Sequence, residues 1–346
     1  MNTTLNTLLA EFSRTRLAQL PSPVFPATQN LAQPDNSELE NIYIKHDGVC
    51  SLQYAGNKVR KLEFLLAEAQ ERGARHIVTL GAAGSNHAVA TSTYAKQLGM
   101  RCTVCMGHQP PSEIATLNLR RHVALGTDLR VFECFGRAVA CANELATQDD
   151  TYLVPLGGSD PLASLGYIVA IAELAEQIDQ GLLPCPKRIY VACGTMGTAV
   201  GCALGVALLN LPIQVVAVRV TESSVASQSL FDGLYRDSVD LITSKLPGFP
   251  VSRSIKPGQV LFVDDFFGEE YAKPTSEALA AIDIAKAAGI TLEGTYTGKA
   301  FAAMLEHKRR GFSGPLLFWL TLNAIETPLV DLHELDALGK DFEPYR

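Results

Sequence analysis

The amino-acid sequence predicts an α/β protein of two lobes, each an open, mostly parallel, twisted sheet flanked by helices. Three observations lead there. Apolar runs of strand length alternate with amphipathic runs of helix length, polar clusters of Gly, Ser, Thr and Asn follow several of the strand-like runs, and 346 residues exceed one ordinary core. Strands alternating with helices give parallel pairing with both faces covered, and ligands of such sheets bind at the carboxyl ends of strands.

In chain order, residues 42–45 read as a strand, 60–72 as an amphipathic helix and 76–80 as a strand closed by a Gly/Ala/Ser turn. A helix at 86–98, a strand at 101–106, a helix at 112–125 and a strand at 129–134 continue the alternation. Residues 162–180 form a helix, 188–192 a strand, 197–209 an apolar helix and 213–220 a strand. Strands at 260–263 and 316–319 enclose helices at 275–288 and 298–310. Two stretches break the pattern. Residues 155–161 (Pro-Leu-Gly-Gly-Ser-Asp-Pro) read as a hinge, and residues 223–257, rich in Ser, Asp and Pro, as a surface excursion or lid. There is no internal repeat of solenoid period.

Hydrophobic residues make up 47% and charged residues 19%, an ordinary globular balance, and the formal charge is -7. With no basic patch, nucleic acid and anionic lipid are poor partners and a small metabolite is the better one. The eight cysteines, at 50, 102, 105, 134, 141, 185, 193 and 202, lack disulfide-framework spacing and read as reduced core thiols. Cys102 and Cys105 form one C-x-x-C pair in a strand-like run, where a three-residue step sends the sulfurs to opposite faces, so no metal site is expected. Residues 1–26 lack a cationic start followed by an apolar block, which makes a cytoplasmic enzyme without a membrane span the expectation.

Three polar clusters carry chemistry. Lys58 and Lys61, in Gly-Asn-Lys-Val-Arg-Lys-Leu, lie about one helical turn apart at a helix start. One amine could hold an aldehyde cofactor as an imine while the other faces a phosphate; taken alone, the segment is better read as a solvated basic helix start. Gly84-Ser85-Asn86-His87 places Ser85 and Asn86 where an N-cap belongs, and His87 could be structural. Cys193-Gly194-Thr195-Met196-Gly197-Thr198 joins a strand to a helix and reads as a phosphate cup of backbone amides and hydroxyls, or as glycines that permit close helix-to-sheet packing. Its spacing is not G-x-G-x-x-G, and no G-x-x-x-x-G-K-[ST] occurs, so dinucleotide and nucleoside triphosphate sites lack support.

Together with Gly-Gly-Ser at 157–159, Gly166-Tyr167 and Tyr-Thr-Gly-Lys-Ala at 296–300, these clusters stand in an order that resembles the pyridoxal-phosphate enzymes of the ACC (1-aminocyclopropane-1-carboxylate) deaminase and D-cysteine desulfhydrase family, over roughly residues 40–310. The resemblance implies a fold-type-II enzyme in which a small domain, 62–164, is inserted in a large cofactor-binding domain, 1–61 plus 165–346. It implies pyridoxal 5'-phosphate bound through Lys58, with Lys61, Gly194, Thr195, Met196, Gly197 and Thr198 at the phosphate and Asn86 at the phenolic oxygen. Ser85, Asn86 and His87 would face the substrate carboxylate, Tyr296 would stand near the substrate, and Lys58, Ser85 and Tyr296 would be catalytic. Thr297 would lie by the pyridine nitrogen, where the deaminases carry an acid and the desulfhydrases a threonine. A hydroxyl leaves that nitrogen nearer neutral, which suits β-elimination better than ring opening.

Three departures bear on the pocket. Gly84 stands where relatives often carry Gln, Asp160 replaces Asn after Gly-Gly-Ser, and Phe-Trp-Leu-Thr-Leu-Asn at 318–323 replaces a His-Thr-Gly-Gly pattern. The resulting expectation is a homodimeric lyase or deaminase that eliminates sulfide from a D-cysteine-like amino acid. ACC deaminase is the alternative within the family. A noncatalytic phosphometabolite-binding protein and a nicotinamide dehydrogenase are rivals of other classes.

Overall fold

The computed structural model describes residues 3–29 and 38–345. Its elements run α1 (Thr3–Ala10), β1 (Val24–Pro26), β2 (Ile42–His46), α2 (Asn57–Glu71), β3 (His76–Ala82), α3 (Asn86–Gln97), β4 (Arg101–Gly107), α4 (Glu113–Leu125), β5 (Asp128–Phe132), α5 (Phe135–Leu145) and β6 (Thr151–Val154). They continue as α6 (Pro161–Asp179), β7 (Arg188–Cys193), α7 (Gly197–Leu208), β8 (Gln214–Arg219), α8 (Gln228–Lys245), β9 (Val260–Val263), α9 (Ser276–Ala287), α10 (Thr297–Arg309) and β10 (Leu316–Leu320).

Two sheets result. One has the order β1-β2-β10-β7-β8-β9, parallel throughout except for the antiparallel β1–β2 pair; the other, β5-β4-β3-β6, is all parallel. In β10 all five residues, Leu-Leu-Phe-Trp-Leu, are buried, as an interior parallel strand covered on both faces requires. The larger sheet buries one face under α6, α7 and α8 and the other under α9 and α10. The chain crosses to the smaller sheet through α2 and returns through α6, and both helices run unbroken across the expected boundaries at 61/62 and 164/165. By length and composition α6 could cross a bilayer, yet Leu165, Ile168, Ile171 and Leu174 are buried in the protein's own core.

The expected alternation stands, with corrections. α2 starts at Asn57 rather than at residue 60, because Gly56, at φ +96°, turns the chain directly into the helix. The stretch 223–257 is not an excursion without period, because α8 fills most of it. Ser227 caps that helix, and Phe231, Tyr235, Val239 and Ile242 recur at helical spacing on its buried face, where intervening Ser and Asp residues obscured the pattern. The elements α1, β1, α5 and β6 were not anticipated; β1 and β6 are only three and four residues long. All eight cysteines are free thiols, but Cys134 and Cys185 are exposed, so those two are not core residues.

Beneath α2 lies a buried charge network. The Arg60 guanidinium meets Asp47 Oδ1 at 2.7 Å and Glu173 Oε2 at 3.0 Å, and Lys45 pairs with the same Glu173. Asp47 Oδ2 also accepts from Tyr167 Oη at 2.7 Å and from Trp319 Nε1 at 2.8 Å. Gly166 makes this approach possible: a Cβ there would lie 2.2 Å from Arg60 O, so α6 could not come so close to α2.

Arg60→Met should therefore cost about 3–5 kcal/mol in urea unfolding, because it strands buried carboxylates. The arginine beside Asp47 holds that carboxyl at about 2, below its ordinary 3.8. Its contribution is fully present above that ordinary value and is lost as pH falls through about 2, so the stability gap between wild type and variant should be widest above that ordinary value and should narrow as pH falls toward 2.

Candidate active site

A cavity of about 480 Å³ opens where the carboxyl ends of β3, β4, β7 and β10 meet the first residues of α2, α3, α7 and α10. Asn57, Asn86, Thr198 and Thr297, each in the first turn of its helix, all line it. Four helix N-termini aimed at one space give it a positive potential suited to a phosphate and a carboxylate.

Lys58 and Lys61 enter from the first turn of α2. Lys58 Nζ lies 3.4 Å and Lys61 Nζ 3.1 Å from one acceptor, Gly157 O. Neither amine has a carboxylate within ion-pair distance among the described residues. Burial lowers Lys58 from 10.5 to about 8, and burial followed by repulsion from Lys58 pushes Lys61 well below 10.5. A lysine so placed is a nucleophile and base near neutral pH.

Gly194 and Thr195 line the cavity beside them. Met196, at φ +67°, turns the backbone sharply into α7, whose N-cap side chain makes no hydrogen bond. Gly197 N donates to Ser159 Oγ at 3.1 Å, Ser159 Oγ donates to Thr195 Oγ1 at 2.7 Å, and Thr198 Oγ1 accepts from Asn57 Nδ2 at 3.0 Å. A Cβ on Gly197 would lie 2.8 Å from Ser159 Oγ and 3.0 Å from Lys61 Nζ. The backbone, the hydroxyls and the lysine thus converge only because that residue is glycine.

Ser85 caps α3 by accepting from Ala88 N at 3.2 Å, and it lines the cavity. Asn86 Oδ1 accepts from Tyr54 Oη at 3.1 Å and Asn118 Nδ2 at 3.2 Å, which directs its amide nitrogen to the cavity as a donor. His87 is buried with Nε2 3.0 Å from Thr79 Oγ1; burial, then Lys58 and Lys61, hold its pKa well below 6.5, so the imidazole is neutral. Among the described residues its Nδ1 makes no hydrogen bond of good geometry.

Tyr296 shares a short hydrogen bond with Tyr271 through their hydroxyls. Burial pushes Tyr271 up to about 12, and burial with Tyr271 pushes Tyr296 well above 10, so both phenols keep their protons at neutral pH. Thr297 Oγ1 accepts from Glu293 N at 2.9 Å and lies 3.1 Å from Glu293 Oε1, while the same carboxylate takes the Thr295, Tyr296 and Thr297 amides. All the residues selected from the sequence line one cavity except Gly197, which stands behind it against Ser159 and Lys61. Tyr54, Asn118, Tyr271 and Glu293 carry no local signature of a site, because each matters only through the residue it meets in space: Asn86 for the first two, Tyr296 for Tyr271 and the α10 amides for Glu293.

A two-lobed parallel α/β fold with a buried lysine pair beside a glycine and threonine cup defines a class of aldehyde-cofactor enzyme. The model of the pyridoxal-phosphate dependent enzymes matches residues 16–321, and the chain belongs to that family. It is 32% identical to a putative 1-aminocyclopropane-1-carboxylate deaminase of Pyrococcus horikoshii, over 92% of this chain and 94% of that one. It is 34% identical to a D-cysteine desulfhydrase of Yersinia enterocolitica, over 91% and 95%. Among solved structures, an ACC deaminase homologue superposes with a TM-score of 0.79 at 29% identity over 98% of this chain and 99% of the other. Threonine deaminase isoform 2 of Solanum lycopersicum, at 17% identity with a TM-score of 0.63 over 98% and 94%, shares the fold. The family's cofactor is pyridoxal phosphate, and the cavity fits it: a glycine cradle for an anion, an unpaired low-pKa lysine for an aldehyde and an oriented amide donor from Asn86.

Reductive methylation of the cofactor-free protein, followed by peptide mass mapping, should label Lys58 with a midpoint near pH 8, well below the 10.5 that is ordinary for lysine. A Lys58 midpoint at 10.5 or above would contradict the site's electrostatics.

Proposed function

We propose that the chain catalyses β-elimination from a small thiol amino acid of the D-cysteine type, giving pyruvate, ammonia and sulfide. The observation that carries the reading is the convergence of two amines without carboxylate partners, Lys58 and Lys61, on Gly157 O beside the α7 cup. The similarity to D-cysteine desulfhydrases adds support.

Bound pyridoxal phosphate supplies an aldehyde that condenses with amines and a ring that withdraws electrons from the substrate α carbon. In this reading Lys58 binds the aldehyde and then takes the α proton on Nζ. Lys61 Nζ, the Thr195 and Thr198 hydroxyls and the amides from Gly194 through Met196 and Gly197 bind phosphate. Asn86 Nδ2 donates to the phenolic oxygen, Ser85 with the α3 N-terminus takes the carboxylate, and neutral His87 adds no charge to that grip. Tyr296 Oη, backed by Tyr271, holds the proton that the departing sulfur takes up. Thr297 would stand by the ring nitrogen. The two sheets correspond to a large domain of 1–61 plus 165–346 and an inserted small domain of 62–164. A cytoplasmic homodimer without nucleic-acid or membrane partners is part of the same reading, supported for those partners by the charge of -7.

One observation favours a second reading, hydrolytic ring opening of 1-aminocyclopropane-1-carboxylate. Glu293 puts a carboxylate 3.1 Å from Thr297 Oγ1, so the threonine is not the plain hydroxyl its sequence context implied. Release of 2-oxobutanoate from the cyclopropane amino acid, with no sulfide from D-cysteine, would select this reading.

The purified protein should absorb in the visible range, and borohydride should fix the cofactor to the peptide that carries Lys58. Lys58→Ala should lose both the fixed tag and sulfide release; a tag on another lysine would sink the assignment. Gly197→Ala should weaken cofactor affinity about tenfold or more, read by equilibrium dialysis, because the added methyl would displace Ser159 Oγ and Lys61 Nζ and cost about one charge-assisted hydrogen bond.

A further inference from the structure

Gly84 leaves α3 without a side chain just ahead of Ser85 and Asn86, and another segment fills the space. Gln109, from the loop after β4, is 7% exposed and lines the cavity, and its Oε1 accepts from Gly84 N at 3.0 Å. A Cβ on Gly84 would lie 3.0 Å from Gln109 Nε2 and 3.2 Å from Oε1, so the glycine and the carboxamide are sterically matched. Because Gly84 N–H can only donate, the amide's orientation is fixed and Nε2 is its donor end. Among the described residues that end has two partners, Pro110 O and Ser112 Oγ, each at 3.5 Å, the outer limit of a hydrogen bond.

The loop that carries this donor is pinned. Tyr345 Oη donates to Gln109 O at 3.0 Å, accepts from Gln109 N at 3.1 Å and meets His108 Nδ1 at 2.5 Å. Its ring is buried against α4 and the α3 start with Leu335 and Phe342. A nearly buried amide donor with no good partner, held rigidly at the positive end of α3, is suited to an anionic oxygen entering the cavity.

We propose that Gln109 is a specificity-determining residue, whose Nε2 donates to the α-carboxylate of the amino-acid substrate and so supplies from the β4–α4 loop what Gly84 cannot supply from α3. The inference rests on the reading above, in which Lys58 holds the cofactor and the substrate enters as an amine.

Titration of the holoenzyme with D- and L-alanine, and with ethylamine, the same amine without the carboxylate, separates the possibilities through the visible band of the cofactor. Gln109→Ala should raise the dissociation constant of the better-bound alanine enantiomer about tenfold or more while leaving that of ethylamine within about twofold. Gln109→Glu, of nearly the same shape, should weaken alanine further through like charge and again spare ethylamine, which covers the case in which the alanine variant fails to fold. Gly84→Gln in the Gln109→Ala background should recover part of the alanine affinity. Unchanged alanine binding, or equal weakening of alanine and ethylamine, would overturn the proposal. A wild-type band that responds to no amine would instead refute the Lys58 reading on which it rests.

Discussion

The charge cluster of Arg60, Asp47, Glu173 and Lys45 is the constraint from which the site's geometry follows. Arg60 lies between Lys58 and Lys61 on α2, and at about 100° per residue its side chain leaves the helix on the side away from both lysines. Fixing the guanidinium in the core therefore fixes where the two amines point. The partners come from different elements: Asp47 follows β2, Glu173 and Tyr167 belong to α6, and Trp319 to β10. Two acids and two bases leave the cluster neutral, which is the condition under which burying it is tolerable.

The cavity has the opposite electrostatics. Four helix starts and two lysines meet there; of the carboxylates on its wall, Glu222, Glu270 and Glu293, the last is occupied by backbone amides at the start of α10. Burial, joined for Lys61 by repulsion from Lys58, leaves the lysines with weakened holds on their protons, and burial with repulsion from both lysines keeps His87 neutral. Lysines kept reactive in this way lie beside a core in which every charge is matched, and α2 carries both environments on its two faces.

The parts of the molecule that were legible in the sequence are those whose determinants are local. The 56–64 segment, the 193–198 cup and the strand–helix alternation each encode a turn, a helix start or a period within a few residues. α8 escaped because its buried face is carried by only a few large residues spaced a turn apart, with Ser and Asp between them. Tyr271, Asn118 and Gln109 escaped for another reason. Tyr271 and Gln109 line the cavity and Asn118 stands behind it, each brought there from a separate segment, and the role of each depends on which partner it meets: Tyr296, Gly84 or Asn86. The Trp319 departure from the family pattern becomes intelligible only in space, where its indole nitrogen serves Asp47 rather than the pocket floor.

The phenol of Tyr345 reaches back across 236 residues to clamp Gln109. One wall of the cavity is thus fastened by a residue that belongs to neither sheet, and loss of that single phenol would loosen the loop after β4 while touching neither the lysine pair nor any strand pairing.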